Sequence, residues 1–200
     1  MTDSCTESFK PRSWDWYLAL VAAWIPASWL VFLWTHESGH ILGAWLTGGK
    51  VQKIVLHPLV FSRTDVSPNP SPMIVAWAGA TLGPIIAAAA VSALILLSKH
   101  GFALYRTVLG FVLVANGCYI GLGVVQPVGD ANDILELGAA PWALALYGIF
   151  AVGIGLMLWG GVRPDKQFKP CEGRMDWYSI GILLSLVLTL ACVGIFCFPA

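Results

Sequence analysis

Two histidines and a glutamate stand close together inside a long apolar run, spelling His36-Glu37-Ser38-Gly39-His40. On a helix, positions i and i+4 lie one turn apart on the same face, so both imidazoles can reach a single divalent ion at about 2.0 to 2.1 Å. Glu37 is rotated by about 100° from His36, which suits it to hold a water beside the ion rather than to ligate the ion itself. Zinc is the metal that best matches two neutral imidazoles plus a carboxylate. The chemistry on offer is metal-assisted activation of water, with Glu37 as general base.

The setting sharpens this reading. Glu37 is the one formally charged residue in the five long apolar stretches of the chain. A carboxylate in mid-span costs about 2.5 to 3.5 kcal/mol on insertion scales, so it needs a partner or a task. The plainer alternative is a hydrogen-bonded cluster that ties helices together.

A catalytic zinc takes three protein ligands and keeps a fourth position open. Candidates for the third ligand are Asp130 and Asp133 in an acidic turn, His57 and His100. With five crossings, the acidic turn emerges on the same side as the end of the first span, next to the histidine pair. His100 falls on the opposite face, and His57 reads as a loop histidine. Asp130-Ala131-Asn132-Asp133 also precedes an apolar run, as a helix N-cap region does, where carboxylates favour the positive end of the dipole. One aspartate can therefore ligate while the other caps or orients a histidine.

The elements that must hold these residues are set by composition. Of 200 residues, 58% are hydrophobic and 11% charged, with mean hydropathy +0.76. Soluble domains carry about 25% charged residues. Eleven Lys+Arg balance eleven Asp+Glu, leaving no basic excess for phosphates, so nucleic acid is excluded as a partner and lipid comes first. Five stretches, 16–46, 73–97, 107–126, 141–161 and 177–198, are each long enough to cross a hydrocarbon core of about 30 Å. The expected fold is an all-α, polytopic transmembrane bundle: a polar tail over 1–15, then a single integral-membrane domain over 16–198. The first span is longer than the bilayer core needs, so it tilts, protrudes or bends at Pro26. A break there would let the chain re-enter and make six spans. The N-terminal residues mix acidic and basic side chains, and the first apolar run exceeds a signal h-region, so it is read as a retained span.

Eight Lys/Arg on one side against three on the other put the N-terminus in the cytoplasm. Five cysteines without a CxxC pair, three of them in apolar spans, argue against a disulfide framework. Gly48-Gly49 should stop the first helix. The following Val51-Gln52-Lys53-Ile54-Val55 is rich in β-branched residues and predicts a short strand or hairpin over the membrane face, ended by Pro68, Pro70 and Pro72. Gly39, Gly43, Gly79 and Gly83 either leave room for a polar cavity or let helices pack tightly.

Taken together, His36 to His40 in a membrane span, the Gly48-Gly49 and strand-like segment, Gly83-Pro84 in the next span, and Asp130-Ala131-Asn132-Asp133-Ile134-Leu135 after the third resemble the site-2 protease family of intramembrane zinc metalloproteases, the M50 peptidases. The resemblance covers roughly residues 30 to 136. It implies one Zn2+ per chain on His36, His40 and Asp130, with Asp133 as the alternative ligand or a supporting carboxylate. It also implies hydrolysis of peptide bonds in membrane-anchored protein substrates. The family's Leu-Asp-Gly is Gly129-Asp130-Ala131 here, and its Gly-Pro-x-x-Asn is Gly83-Pro84-Ile85-Ile86-Ala87. Asn116 is the candidate to replace a substrate-binding asparagine, and the plainer reading of it is an interhelical hydrogen bond. The competing expectations are a non-catalytic membrane protein with a structural or transport-related metal site, and a partner-binding pseudo-protease.

Overall fold

The computed structural model describes residues 13–58, 62–97, 101–161 and 174–199. His100, most of the polar tail and most of the charged loop after residue 161 lie outside them. Five helical segments are long and apolar enough to cross a membrane: Leu18–Leu46, Pro72–Leu97, Gly101–Val124, Pro141–Gly160 and Ile180–Cys197. The expected all-α bundle is what forms.

Helix α1 runs unbroken from Ser13 to Leu46 with Pro26 inside it. The six-span alternative, in which Pro26 lets the chain turn back, is therefore corrected. Proline removes one backbone donor and crowds the preceding turn, but the next turns are anchored. Ala23, Ala27, Leu30 and Val31 are all buried against neighbouring helices, and that packing outweighs a single missing hydrogen bond. The helix ends as Gly48-Gly49 predicts. Gly48 takes φ +79°, the Gly49 N–H reaches the Ala44 carbonyl at 2.8 Å and the Gly48 N–H reaches that of Trp45 at 3.3 Å, which satisfies carbonyls left over at the helix end.

The chain then forms a hairpin of β1 (Val51–Val55) and β2 (Arg63–Val66). They pair antiparallel with Ile54 opposite Thr64 and Val55 opposite Arg63. Burial alternates along β2, with Thr64 and Val66 turned inward and Arg63 and Asp65 outward, as a half-buried strand requires. The Leu56 N–H also bonds to the Phe198 carbonyl at 3.2 Å, tying the hairpin to the end of the last helix.

Helix α2 (Pro72–Val91) and the short α3 (Ala93–Leu97) make the second span, α4 (Gly101–Gly121) the third, and α6 (Pro141–Gly160) and α7 (Arg174–Cys197) the last two. Between the third and fourth lies α5 (Asp130–Glu136). The glycine stripes serve close packing. A methyl group at Gly39 or Gly43 would collide with Ala78 of α2, and one at Gly83 would press on the α1 backbone at His36. Helices α1 and α2 thus approach through small residues, the usual route to tight association in lipid. One core cluster joins α1, α2, α4 and α7, and a second gathers Ala76, Ala80, Ile120 and Leu144 around Ala131 and Ile134 of α5. The second cluster matters most for the site, since it pins a seven-residue helix that would not stand alone.

Candidate metal centre

His36, Glu37 and His40 sit in the last third of α1, all buried. Each imidazole spends one nitrogen on an oxygen acceptor. His36 Nδ1 lies 2.8 Å from Asn116 Oδ1, and His40 Nδ1 lies 2.7 Å from the Val75 carbonyl. A carbonyl oxygen accepts only, so Nδ1 of both rings carries the proton when neutral, and each Nε2 is left with a lone pair.

Those two lone pairs face Asp130. Its Oδ2 lies 2.7 Å from His36 Nε2 and 3.1 Å from His40 Nε2, and the two Nε2 atoms are 3.2 Å apart. Three electron-pair donors this close repel one another unless a proton or a cation sits among them. A tetrahedral ion with ligand bonds of about 2.0 to 2.1 Å holds its ligand atoms about 3.3 Å apart. The observed triangle has nearly that size, and these three residues form a group able to hold a metal ion among the described residues.

Asp130 reaches the histidines because of what precedes and follows it. Gly129 adopts φ +52°, a backbone state costly for residues with a Cβ, and turns the chain into α5 directly beneath the rings. The Asp130 N–H donates to the Tyr119 hydroxyl at 3.0 Å. Tyr119 also sets its ring edge-on to His36, with centroids 5.6 Å apart. Burial alone would raise the Asp130 carboxyl pKa, but the hydrogen bonds and charge of His36 and His40 outweigh it and hold the group well below the usual carboxylate range.

The other candidates stand apart. Asp133, in the first turn of α5, is not among the converging atoms. Partial burial, together with the Asp130 and Glu136 carboxylates, raises its pKa. His57 lies past the end of β1, also outside the triangle. Asn116 is completely buried; its Oδ1 faces His36, and its Nδ2 donates to the Val112 carbonyl at 2.9 Å. Its bond to His36 joins α4 to α1, the interhelical hydrogen bond that the plainer reading expects.

Glu37 is 2% exposed, and its Oε2 accepts a hydrogen bond from Thr64 Oγ1 of β2 at 2.7 Å. Thr64, Tyr119 and the Val75 carbonyl are the partners that the sequence did not reveal. For Tyr119 a signal existed: it lies three residues after Asn116, on the same helix face, and brings a polar tip into an apolar span. A threonine in a strand and a backbone carbonyl carry no such mark. The strand expected at Val51–Val55 forms with those bounds as β1, and its partner β2 is the one that borders the site.

A cavity of roughly 1060 Å³ opens over these groups. Arg63 to Val66 form one wall, Gly129, Asp130 and Asp133 another, and Trp29 and Phe32 carry the lining further down α1. The two rings also need the bare backbone of α2 beside them: a Cβ added at Gly79 would lie 2.8 Å from His36 Nε2 and nearer still to His40 Nε2. Gly79→Ala should therefore cut zinc affinity by about tenfold or more with helix content unchanged in circular dichroism. Propensity alone favours alanine over glycine in a helix by about 1 kcal/mol, so a drop in bound zinc reads the steric conflict. Full zinc occupancy at wild-type affinity would show that the rings do not occupy this position.

A family model described as Peptidase M50B-like matches residues 15–120, just over half the chain. That stretch contains the histidine pair, Glu37, Thr64 and Asn116, and it ends before Asp130. No curated protein and no solved structure matches the chain.

Proposed function

The chain belongs to the Peptidase M50B-like family, and from that premise we propose that it is an intramembrane zinc metalloprotease that cleaves peptide bonds of membrane-anchored protein substrates. The observation that carries this reading is the convergence of His36 Nε2, His40 Nε2 and Asp130 Oδ2 beside a buried glutamate. One zinc per chain would be held by those three atoms. Bound there, it would supply a Lewis acid that polarises a carbonyl and lowers the pKa of water towards neutrality.

The chain's own groups do the rest. Glu37 takes a proton from the attacking water at a carboxylate oxygen as that water adds to the scissile carbonyl, then delivers it to the leaving amine. Asn116 and the Val75 carbonyl fix the two rings through their Nδ1 protons, which keeps each Nε2 lone pair on the cavity side. Asp133 is left free of the metal and lines the cavity wall.

Five apolar spans make this an integral membrane protein, so its substrates share the bilayer with it. A helical substrate hides its carbonyls in internal hydrogen bonds and must unwind before attack. Among the described residues, strand β2 pairs with β1 along one side only. The other side can take an extended stretch of substrate as a further strand next to the site.

The direct test is cleavage of a membrane-anchored substrate by the protein reconstituted in liposomes. Cleavage should stop when zinc is removed by chelation and return when about one equivalent is restored. Activity indifferent to chelation would defeat the proposal.

A further inference from the structure

The hairpin does more than border the cavity. Thr64 is inward-facing on β2 and donates to Glu37 Oε2 at 2.7 Å, across 27 positions of sequence. Among the described residues this is the hydrogen bond that the Glu37 carboxylate receives. The strand is itself held: Ile54 of β1 lies opposite Thr64, Val55 is fully buried, and Leu56 is bonded to the end of α7. A buried carboxylate on a flexible stem would otherwise sample several rotamers. We propose that Thr64 is a positioning residue for the reaction: its hydroxyl fixes Glu37 in the orientation a general base needs, so that the hairpin edge offered to the substrate and the base that acts on it move as one unit.

This rests on Glu37 acting as the base. The arrangement has a clear consequence for specificity. A substrate strand lying along β2 would be placed by the same element that aims the carboxylate, so its scissile carbonyl and the proton acceptor are registered together. Misplacement of a catalytic group by about 1 Å can cost about 100-fold.

The test uses the full chain in liposomes with a membrane-anchored substrate. Thr64→Val keeps shape and β-branching but removes the donor; Thr64→Ser keeps the donor and removes a methyl. Thr64→Val should lower kcat by about tenfold or more and leave KM within about twofold, with zinc content unchanged. Thr64→Ser should recover most of the rate. An independent reading comes from amide hydrogen exchange over Arg63–Val66. Thr64→Val and Glu37→Ala should each speed exchange there, and the double variant should be no faster than the faster single one, because both remove the same tie. Wild-type kcat in Thr64→Val, no recovery in Thr64→Ser, or additive exchange would each overturn the proposal. A wild-type protein that fails to cleave would instead remove the protease reading, and the exchange cycle would still decide whether Thr64 holds Glu37.

Discussion

Glu37→Gln is expected to abolish cleavage while zinc stays at about one per chain. Glutamine has the shape of glutamate, and its Oε1 can still accept the Thr64 hydroxyl that now bonds to Glu37 Oε2. What it lacks is the ability to take up a proton. General-base catalysis contributes about 10²- to 10⁴-fold, so the residual rate should be between about a hundredth and a ten-thousandth of wild type. Neither His36 nor His40 depends on Glu37 for its hydrogen bonds, so metal content should hold. The same variant separates the protease from its rivals. If Glu37 served a structural cluster, neutralising a carboxylate that is 2% exposed would change stability and leave nothing catalytic to lose. Thermal unfolding and turnover measured on one preparation tell these apart. Cleavage at the wild-type rate would end the general-base assignment.

What the sequence could announce was whatever depends on near neighbours. The histidine spacing, the apolar spans and the Gly48 helix stop are all set within a few residues, and each formed as read. Partners distant in sequence were harder. Asp130 lies 94 positions from His36; an acidic turn after an odd number of crossings pointed to the region, and the family resemblance pointed to Asp130 over Asp133. The backbone turn at Gly129 that brings it to the rings is something no periodicity encodes. Asn116 was legible as a polar residue in lipid, but its role was not. An asparagine facing a histidine and one facing a substrate look alike until the helices are packed. The glycine stripes were ambiguous for a similar reason, since small residues permit either a void or a contact, and the neighbouring helix decides which. Thr64 gave no warning at all: threonine is ordinary in a strand, and its importance comes from the buried carboxylate that it meets.

The second large effect is expected at Asp130. Asp130→Ala removes one of three donors and should reduce zinc affinity by more than about 100-fold, beyond the usual loss for an outer-shell partner. Purified protein should then carry almost no zinc. Asp133→Ala should leave zinc within about tenfold of wild-type affinity, because its carboxylate lies outside the converging atoms. The contrast follows from electrostatics as well as distance. Burial works against the Asp130 carboxylate, but hydrogen bonds and charge from His36 and His40 outweigh it and hold its pKa well below the usual range. Asp133 is pushed the other way by partial burial and by its acidic neighbours. A cation entering the triangle relieves the repulsion between two Nε2 lone pairs and a carboxylate, whereas among the described residues no such group of donors includes Asp133. His40→Ala should resemble Asp130→Ala, since it removes another corner of the same triangle. If zinc were kept in Asp130→Ala and lost in Asp133→Ala, the ligand set would be wrong, and the cavity would have to be rebuilt around the first turn of α5 and not its first residue. Zinc analysis of these three variants, each checked for intact helix content, decides the matter without any knowledge of the substrate.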